Sequence, residues 1–253
     1  MNLITLNTWG GRCKDDFVRF LKLYSDRVDI FCLQETYKDA ENKEHDQDFL
    51  REGILDMEKV LEKIFSNHNI RFDSYSLGFY GLNQIVHKKN HCRFLDPTTI
   101  LEGIRSSNDN QFREKILQYC EVSVGGKDIV IGNFHGHWKR GFGKGDCGER
   151  FLQSRNLINF VNSQACPVIL CGDFNLDLDT ESVCMIEKET GMRNLIRDYQ
   201  ITDTRTRLYP QSKPSRFADY VFVSPEVEVI DFHVMSDVIS DHAPLYLEFD
   251  VKK

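Results

Sequence analysis

Pro167-Val168-Ile169-Leu170-Cys171-Gly172-Asp173-Phe174-Asn175 is the stretch on which the reading of this chain turns. Its first part is a short apolar run rich in β-branched residues, the length of one buried strand. The run then breaks into glycine, carboxylate and amide, which puts an acid and a hydrogen-bond donor at the carboxyl end of a core strand. The same break recurs outward from this point. Leu3-Ile4-Thr5-Leu6 ends in Asn7-Thr8-Trp9, and Ile30-Phe31-Cys32-Leu33 ends in Gln34-Glu35. Ile129-Val130-Ile131 leads into Gly132-Asn133-Phe134-His135-Gly136, and Ser240-Asp241-His242 immediately precedes a final strand. If these segments share one sheet core, their polar ends converge. Carboxylates and amides are hard oxygen ligands suited to Mg²⁺ or Mn²⁺, and imidazoles can move protons or bond a phosphoryl oxygen.

The flanking segments supply the rest of an α/β chain. Apolar residues at helical spacing predict helices over 15–27 (Phe17, Phe20, Leu21, Tyr24) and 47–66 (Leu50, Ile54, Met57, Leu61, Ile64). Further helices are predicted over 149–163 and 180–190. Strands are predicted over 2–8, 28–33, 167–171, 219–223, 226–235 and 244–251, with a hairpin of 118–124 and 127–134 turning on Gly125-Gly126. No repeat, low-complexity segment or linker divides the sequence, so residues 1–253 read as one domain of sheets covered by helices.

Bulk composition narrows the function classes. With 41% hydrophobic and 28% charged residues the chain reads as globular, and no run approaches the roughly 18–20 apolar residues of a membrane span. The first residues read as a strand, with no export signal. Cys32 and Cys171 sit inside apolar runs, and none of the eight cysteines forms a Cys-x-x-Cys pair. That pattern argues against a zinc ribbon or redox motif and for reduced thiols in a cytoplasmic protein. A formal net charge of −7 argues against a generic duplex binder, which needs a basic face to displace counterions. It leaves a phosphate substrate open, because a divalent cation inverts the field of an acidic site.

The ordered set Asn7, Gln34-Glu35, His135, Gly172-Asp173-Phe174-Asn175, Asp219-Tyr220 and Ser240-Asp241-His242 resembles the endonuclease/exonuclease/phosphatase superfamily across residues 2–249. The resemblance implies the deoxyribonuclease-I-like fold, a four-layer α/β/β/α sandwich. It also implies roles. Glu35 would be the principal metal carboxylate, with Asn7 and Asp241 in the same shell, holding Mg²⁺ or Mn²⁺. Asp173 would orient and deprotonate the attacking water, and Asn175 would donate to the phosphoryl oxygens. His242 would contact the phosphate, with Asp219 holding its imidazole.

Spacing alone leaves His135 and His137 open, since both would face one side of a strand. Asn133-Phe134-His135-Gly136 followed by Trp138, Lys144, Asp146, Arg150 and Gln153-Ser154-Arg155 resembles a bacterial subgroup in which the histidine before glycine recurs, which favours His135 as the catalytic one. The loop Lys139-Arg140-Gly141-Phe142-Gly143-Lys144 is the densest positive charge near the site and suits a phosphate clamp, and Arg150 reads as a brace either for this loop or for an active-site carboxylate. Trp9 reads either as a cleft wall or as packing. The charged run Asp39–Asp46 reads as a solvated loop, and His45, His68, His87, His91 and His233 read as surface or structural. Singly, each site residue has an ordinary reading, Asn7 as a turn, Asp241 as a cap, Glu35 as a solvated strand end. Together they point to hydrolysis of a phosphodiester by in-line attack of water, with no Ser or Cys placed as a nucleophile. The substrate expected is a phosphate ester, of which nucleic acid is one form. A phosphomonoesterase is the alternative, and a binding protein that kept the fold comes third.

Overall fold

The computed structural model describes residues 1–41, 52–76, 78–105, 112–139 and 143–252. Side-chain alternation sets its layers. In strand β1 (Asn2–Asn7), Leu3 joins one hydrophobic cluster while Ile4 and Leu6 join another. Strand β2 (Ile30–Tyr37) divides the same way, Ile30 and Cys32 against Phe31 and Leu33. A period of two sends neighbours to opposite faces, so both strands are buried on both sides. Helix α1 (Lys14–Tyr24) covers the outer face through Phe17, Phe20 and Leu21, and helix α2 (Met57–Ile64) through Met57 and Leu61. The inner face meets a second sheet. That sheet packs in turn on helix α3 (Gly148–Ser163), through Leu157 and Ile158, and helix α4 (Glu181–Thr190), through Val183 and Ile186. The four-layer α/β/β/α sandwich is therefore the fold, as the resemblance implied.

The first sheet runs β12 (Val227–Val234), β13 (Leu245–Val251), β1, β2, β4 (Tyr80–His87), β3 (His68–Ser76). The second runs β10 (Arg193–Asn194), β11 (Asp219–Val223), β9 (Val168–Asp173), β8 (Lys127–His135), β7 (Phe112–Val124), β5 (Cys92–Phe94), with β6 (Thr98–Arg105) also on β7. The expected hairpin is β7–β8. Its two central glycines, at φ +59° and +84°, take the left-handed conformations that such a turn requires.

Two boundaries differ from expectation for identifiable reasons. Helical spacing over 47–66 overruns the start of α2, because Asp56 caps it by accepting from Lys59 N at 3.3 Å. Ahead of that cap, Gly53 packs on the turn at Trp9–Gly11, where a Cβ would lie 2.7 Å from Gly10 O. Residues 47–51 lie outside the described residues, as do 42–46 of the charged run and His45. The second difference is in β2, which does not stop at Leu33 but continues through Glu35 to Tyr37. Its pairing with β4 shifts register between Leu33 and Thr36, and Glu35 takes φ +56°. This β-bulge turns one side chain out of the pleat.

A buried polar seam between the sheets supports that bulge. Gln34 Nε2 donates to Asn133 Oδ1 (2.7 Å) and Thr5 Oγ1 (3.0 Å), and Asn133 Nδ2 donates to Gln118 Oε1 (2.9 Å) and Leu33 O (3.2 Å). Each bond crosses from strand to strand, so the segment that presents Glu35 is tied to both sheets.

His68 has a purely structural setting. It is buried, with ring contacts to Phe65 at 4.9 Å and His87 at 4.6 Å. Burial first, and the neighbouring His87 second, push its imidazole down to about 4. The unfolded chain takes up a proton near 6.5 and the folded one does not, so this contribution is whole above about 6.5 and is lost as pH falls toward about 4. His68→Phe is expected to lessen acid destabilisation at pH 5, relative to pH 7.5, by on the order of 1–2 kcal/mol. Thermal melts of both proteins at the two pH values check it; parallel losses would count against a neutral buried His68.

Candidate active site

Strand register assembles the polar ends. In the second sheet His135 stands opposite Asp173, and Asp173 opposite Asp219. In the first sheet Asn7 stands opposite Gln34, one residue before the bulge. Asn7 Nδ2 then crosses between the sheets to donate to Asp173 Oδ2 at 2.9 Å, and donates within its own sheet to Glu35 Oε1 at 3.1 Å. Asp241 and His242 arrive on the loop before β13. Ser240 Oγ pins that loop to Asn7 O at 2.7 Å, and His242 makes a lone bridge with Arg205.

After β9 the chain turns back within two residues. Asp173 Oδ1 accepts from Asn175 N at 2.8 Å, and Asn175 takes φ +56°, which asparagine tolerates better than most residues. Phe174 anchors this turn in the core against Phe134, Tyr220 and Phe222. Gly136 has to be glycine, since a Cβ there would lie 2.2 Å from Phe174 O. The close approach lets Asn175 Nδ2 donate to Gly136 O at 3.2 Å.

All eight residues singled out in the sequence meet around this point. His242 Nδ1 lies 2.9 Å from both oxygens of Asp219, and its Nε2 lies 3.6 Å from Asp173 Oδ2 and 3.9 Å from Asp241 Oδ1. Burial and Arg205 push the His242 imidazole down, but Asp219, Asp173 and Asp241 outweigh them and hold it above its ordinary value. Burial opposes ionisation of Asp173, yet the Lys144, His242 and Arg205 charges together hold its carboxyl far below the usual carboxylate range. Of the two neighbouring histidines, His135 reaches the carboxylates, with Nε2 at 3.6 Å from Glu35 Oε1 and 3.8 Å from Asp173 Oδ2. His137 is tied instead to helix α3, its backbone N–H donating to Gln153 Oε1 at 2.7 Å.

Four further residues enter the site that the strand-end pattern does not mark. Tyr75, on β3, places its hydroxyl 2.7 Å from His135 Nδ1. Burial first, and Glu35 second, push that phenol well above its ordinary value, so it keeps its proton and donates. The neutral imidazole then carries its own proton on Nε2, toward the carboxylates. Burial, followed by the Lys115 charge, holds His135 well below its ordinary value, and the Lys115 amine lies 4.8 Å from the Tyr75 ring centre. Arg205, buried, meets Asp241 Oδ2 at 3.5 Å and stacks on Tyr209 at 4.3 Å. Lys144, also buried, donates to Asn175 Oδ1 at 2.9 Å.

Two cations of the loop 139–144 are described. Lys139 pairs with Glu149 at 2.7 Å, Lys144 points into the site, and 140–142 lie outside the described residues. Arg150 does brace the loop, donating to the carbonyls of His137, Gly143 and Gly145. Trp9 is partly exposed, at φ +51°, with the Arg12 guanidinium 4.7 Å from its ring centre.

The carboxylates also fit a divalent cation. Burial raises the Glu35 carboxyl above its ordinary value, with Asn7 and His242 opposing and Asp241 and Asp173 adding to it. Asp241 Oδ1 is buried without a hydrogen-bond partner among the described residues. Ligand atoms of Glu35, His135 and Asp173 lie within 4.8 Å of one another, as do those of Asp173, Asp219 and His242. Clustered carboxylate oxygens of this kind are what Mg²⁺ and Mn²⁺ take.

Solved structures share this architecture. An endonuclease/exonuclease/phosphatase family protein from Bacteroides thetaiotaomicron superposes with a TM-score of 0.72 at 16% identity, over 100% of this chain and 98% of that one. A mannosyl-6-phosphatase from the same organism gives 0.67 at 16% identity, over 98% and 99%. The human Nocturnin catalytic domain, with a bound sulfate anion, gives 0.68 at 17%, over 100% and 94%. Identities this low speak for the fold alone. No curated protein matches the sequence. The profile described as Endonuclease/Exonuclease/phosphatase family matches residues 4–242, a span that takes in every strand end from Asn7 to His242. The chain belongs to the endonuclease/exonuclease/phosphatase family.

Proposed function

We propose that this protein is a divalent-metal-dependent phosphodiesterase that hydrolyses its substrate by in-line attack of water. The observation that carries this reading is the Asp173 carboxylate, buried and ionised between His135, His242, Lys144 and Asn7. Glu35 and Asp241, with Asn7 beside them, are the residues to hold Mg²⁺ or Mn²⁺. When bound, that ion neutralises phosphoryl charge and stabilises the departing oxygen.

The chain's own groups have separable tasks. Asp173 aligns the water and takes its proton. The cations that keep Asp173 ionised also make it a weak base, so orientation contributes more than proton affinity. The Asn175 amide donates to a phosphoryl oxygen as charge grows there. His242, with Nδ1 held by Asp219, presents Nε2–H to the phosphate, and neutral His135 presents its own from the other sheet.

A phosphomonoester is the second reading, favoured by the net charge of −7 and by a fold shared with a mannosyl-6-phosphatase. Hydrolysis of a bis(aryl) phosphodiester, an aryl phosphomonoester and a labelled oligonucleotide, side by side with Mg²⁺, distinguishes them. The diester is expected to turn over fastest, with activity lost in EDTA and restored by Mg²⁺ or Mn²⁺. Undiminished turnover in EDTA would remove the metal from the mechanism, and preference for the monoester would replace the first reading with the second.

A further inference from the structure

The Lys144 amine is buried in the reaction centre, yet none of the steps above uses more of it than its charge. Lysine seldom sits fully inside a protein, because its ammonium is strongly hydrated. Here much of the local structure holds it there. The Arg150 guanidinium, fully buried, donates to Gly143 O at 2.8 Å and to Gly145 O, the two carbonyls that bracket Lys144. Asp146 anchors the next residues by accepting from Glu181 N at 2.9 Å and Ser182 N at 3.0 Å, at the start of α4. Lys144 O accepts from Asp177 N at 2.9 Å, just past the turn that bears Asn175. An arginine, an aspartate and a backbone bond therefore fix one lysine on three sides.

What the amine reaches is informative. Its Nζ donates to Asn175 Oδ1 at 2.9 Å and stands 4.0 Å from Asp173 Oδ1. An ammonium has no lone pair, so the atom facing it must be the amide oxygen. That contact fixes which way round the Asn175 amide lies. Its Nδ2 is turned away from the lysine, with one N–H on Gly136 O at 3.2 Å. The other N–H meets no acceptor among the described residues and is open to a ligand oxygen. Without the lysine, the amide would be held by the Gly136 carbonyl alone, and a half-turn would present an acceptor to an anionic substrate.

We propose that Lys144, held by Arg150 and Asp146, is a positioning residue that locks the Asn175 amide with its second N–H toward the scissile phosphoryl group. The role rests on the phosphoesterase reading, and it acts through Asn175 rather than by touching the substrate. A lysine that merely balanced the Asp173 charge would leave the amide as it is.

The test joins a double-mutant cycle to a measurement that needs no activity. With the bis(aryl) diester and Mg²⁺, Lys144→Met is expected to lower kcat by about 10²-fold, the scale of one lost oxyanion donor, with little change in KM. Asn175→Ala is expected to do the same, and the double variant to be no worse than the poorer single one. Losses that multiply would overturn the proposal, as would an unimpaired Lys144→Met. In the metal-free protein, the two Asn175 side-chain N–H₂ signals in ¹⁵N NMR, assigned by their absence in Asn175→Ala, are expected to shift toward the positions of a free asparagine amide in Lys144→Met, remaining two because the amide C–N does not rotate freely. Unchanged signals overturn the positioning role whatever the enzyme's activity. Altered signals in a protein inactive on every ester would support the lock and sink the phosphoesterase reading instead. Lys144→Gln, whose amide also donates, serves if the methionine variant folds poorly, and is expected to keep more of the wild-type signal pattern.

Discussion

Asp173→Asn is expected to lower kcat by about 10³–10⁴-fold while leaving KM within about threefold. The substitution keeps shape and removes charge. The oxygen of the new amide can still accept from Asn175 N, but its second atom becomes an NH₂ group. In the native site the oxygen at that position accepts from Asn7 Nδ2 at 2.9 Å, so donor would meet donor. The variant also leaves Lys144 and His242, 4.0 and 3.6 Å from the carboxylate, without its counter-charge. Buried groups stripped of a partner are costly, so a drop in stability on the order of 1–3 kcal/mol is expected alongside the loss of rate. Initial rates against substrate concentration, with thermal melts of both proteins, check the two parts separately. A variant that kept more than about a tenth of kcat would take Asp173 out of the chemistry.

How far the sequence foretells this site depends on whether a residue's place follows from its own segment or from a neighbour's. Leu3 against Ile4, and Cys32 against Phe31, reveal two buried faces, because a period of two is written into each strand. Strand ends at Asn7, Asp173 and His135 are legible for the same reason. Glu35 is only half so. Its polarity shows, but the bulge that aims it exists only in the pairing of β2 with β4, which no single segment records. The Asp56 cap was open to reading, as an acid at the head of an apolar-periodic run, and would have shortened the second helix. Tyr75, Lys115 and Arg205 lie on segments with no strand-end signature, and reach the site only through sheet order and the long return before β13. Lys144 is the instructive case. In sequence it belongs to a glycine-spaced cationic loop, the usual mark of an exposed clamp. In the fold Arg150 holds the Gly143 and Gly145 carbonyls on either side of it, and a residue legible as surface charge becomes an internal hydrogen-bond donor.

Glu35→Gln carries the second large effect and separates activity from stability. Burial and the Asp173 and Asp241 carboxylates disfavour the Glu35 charge, and they outweigh the Asn7 hydrogen bond and His242. Glutamine fits the same bulge, keeps an oxygen for Asn7 Nδ2, and replaces the repelled charge with an amide. The metal-free variant is therefore expected to melt above metal-free wild type, by about 0.5–1 kcal/mol given that 18% of the Glu35 side chain is exposed. Activity is expected to move the other way, with kcat/KM at millimolar Mg²⁺ down by about 10²–10³-fold, because a neutral amide is a much poorer ligand for a hard cation. Ligand linkage supplies the deciding control. A site that binds only in the folded state raises stability as RT ln(1 + [L]/Kd), so Mg²⁺ is expected to raise the melting temperature of wild type and barely move that of Glu35→Gln. An equal Mg²⁺ response in both proteins would mean that Glu35 does not hold the metal. The carboxylate's unfavourable position in the metal-free fold would then need another cause.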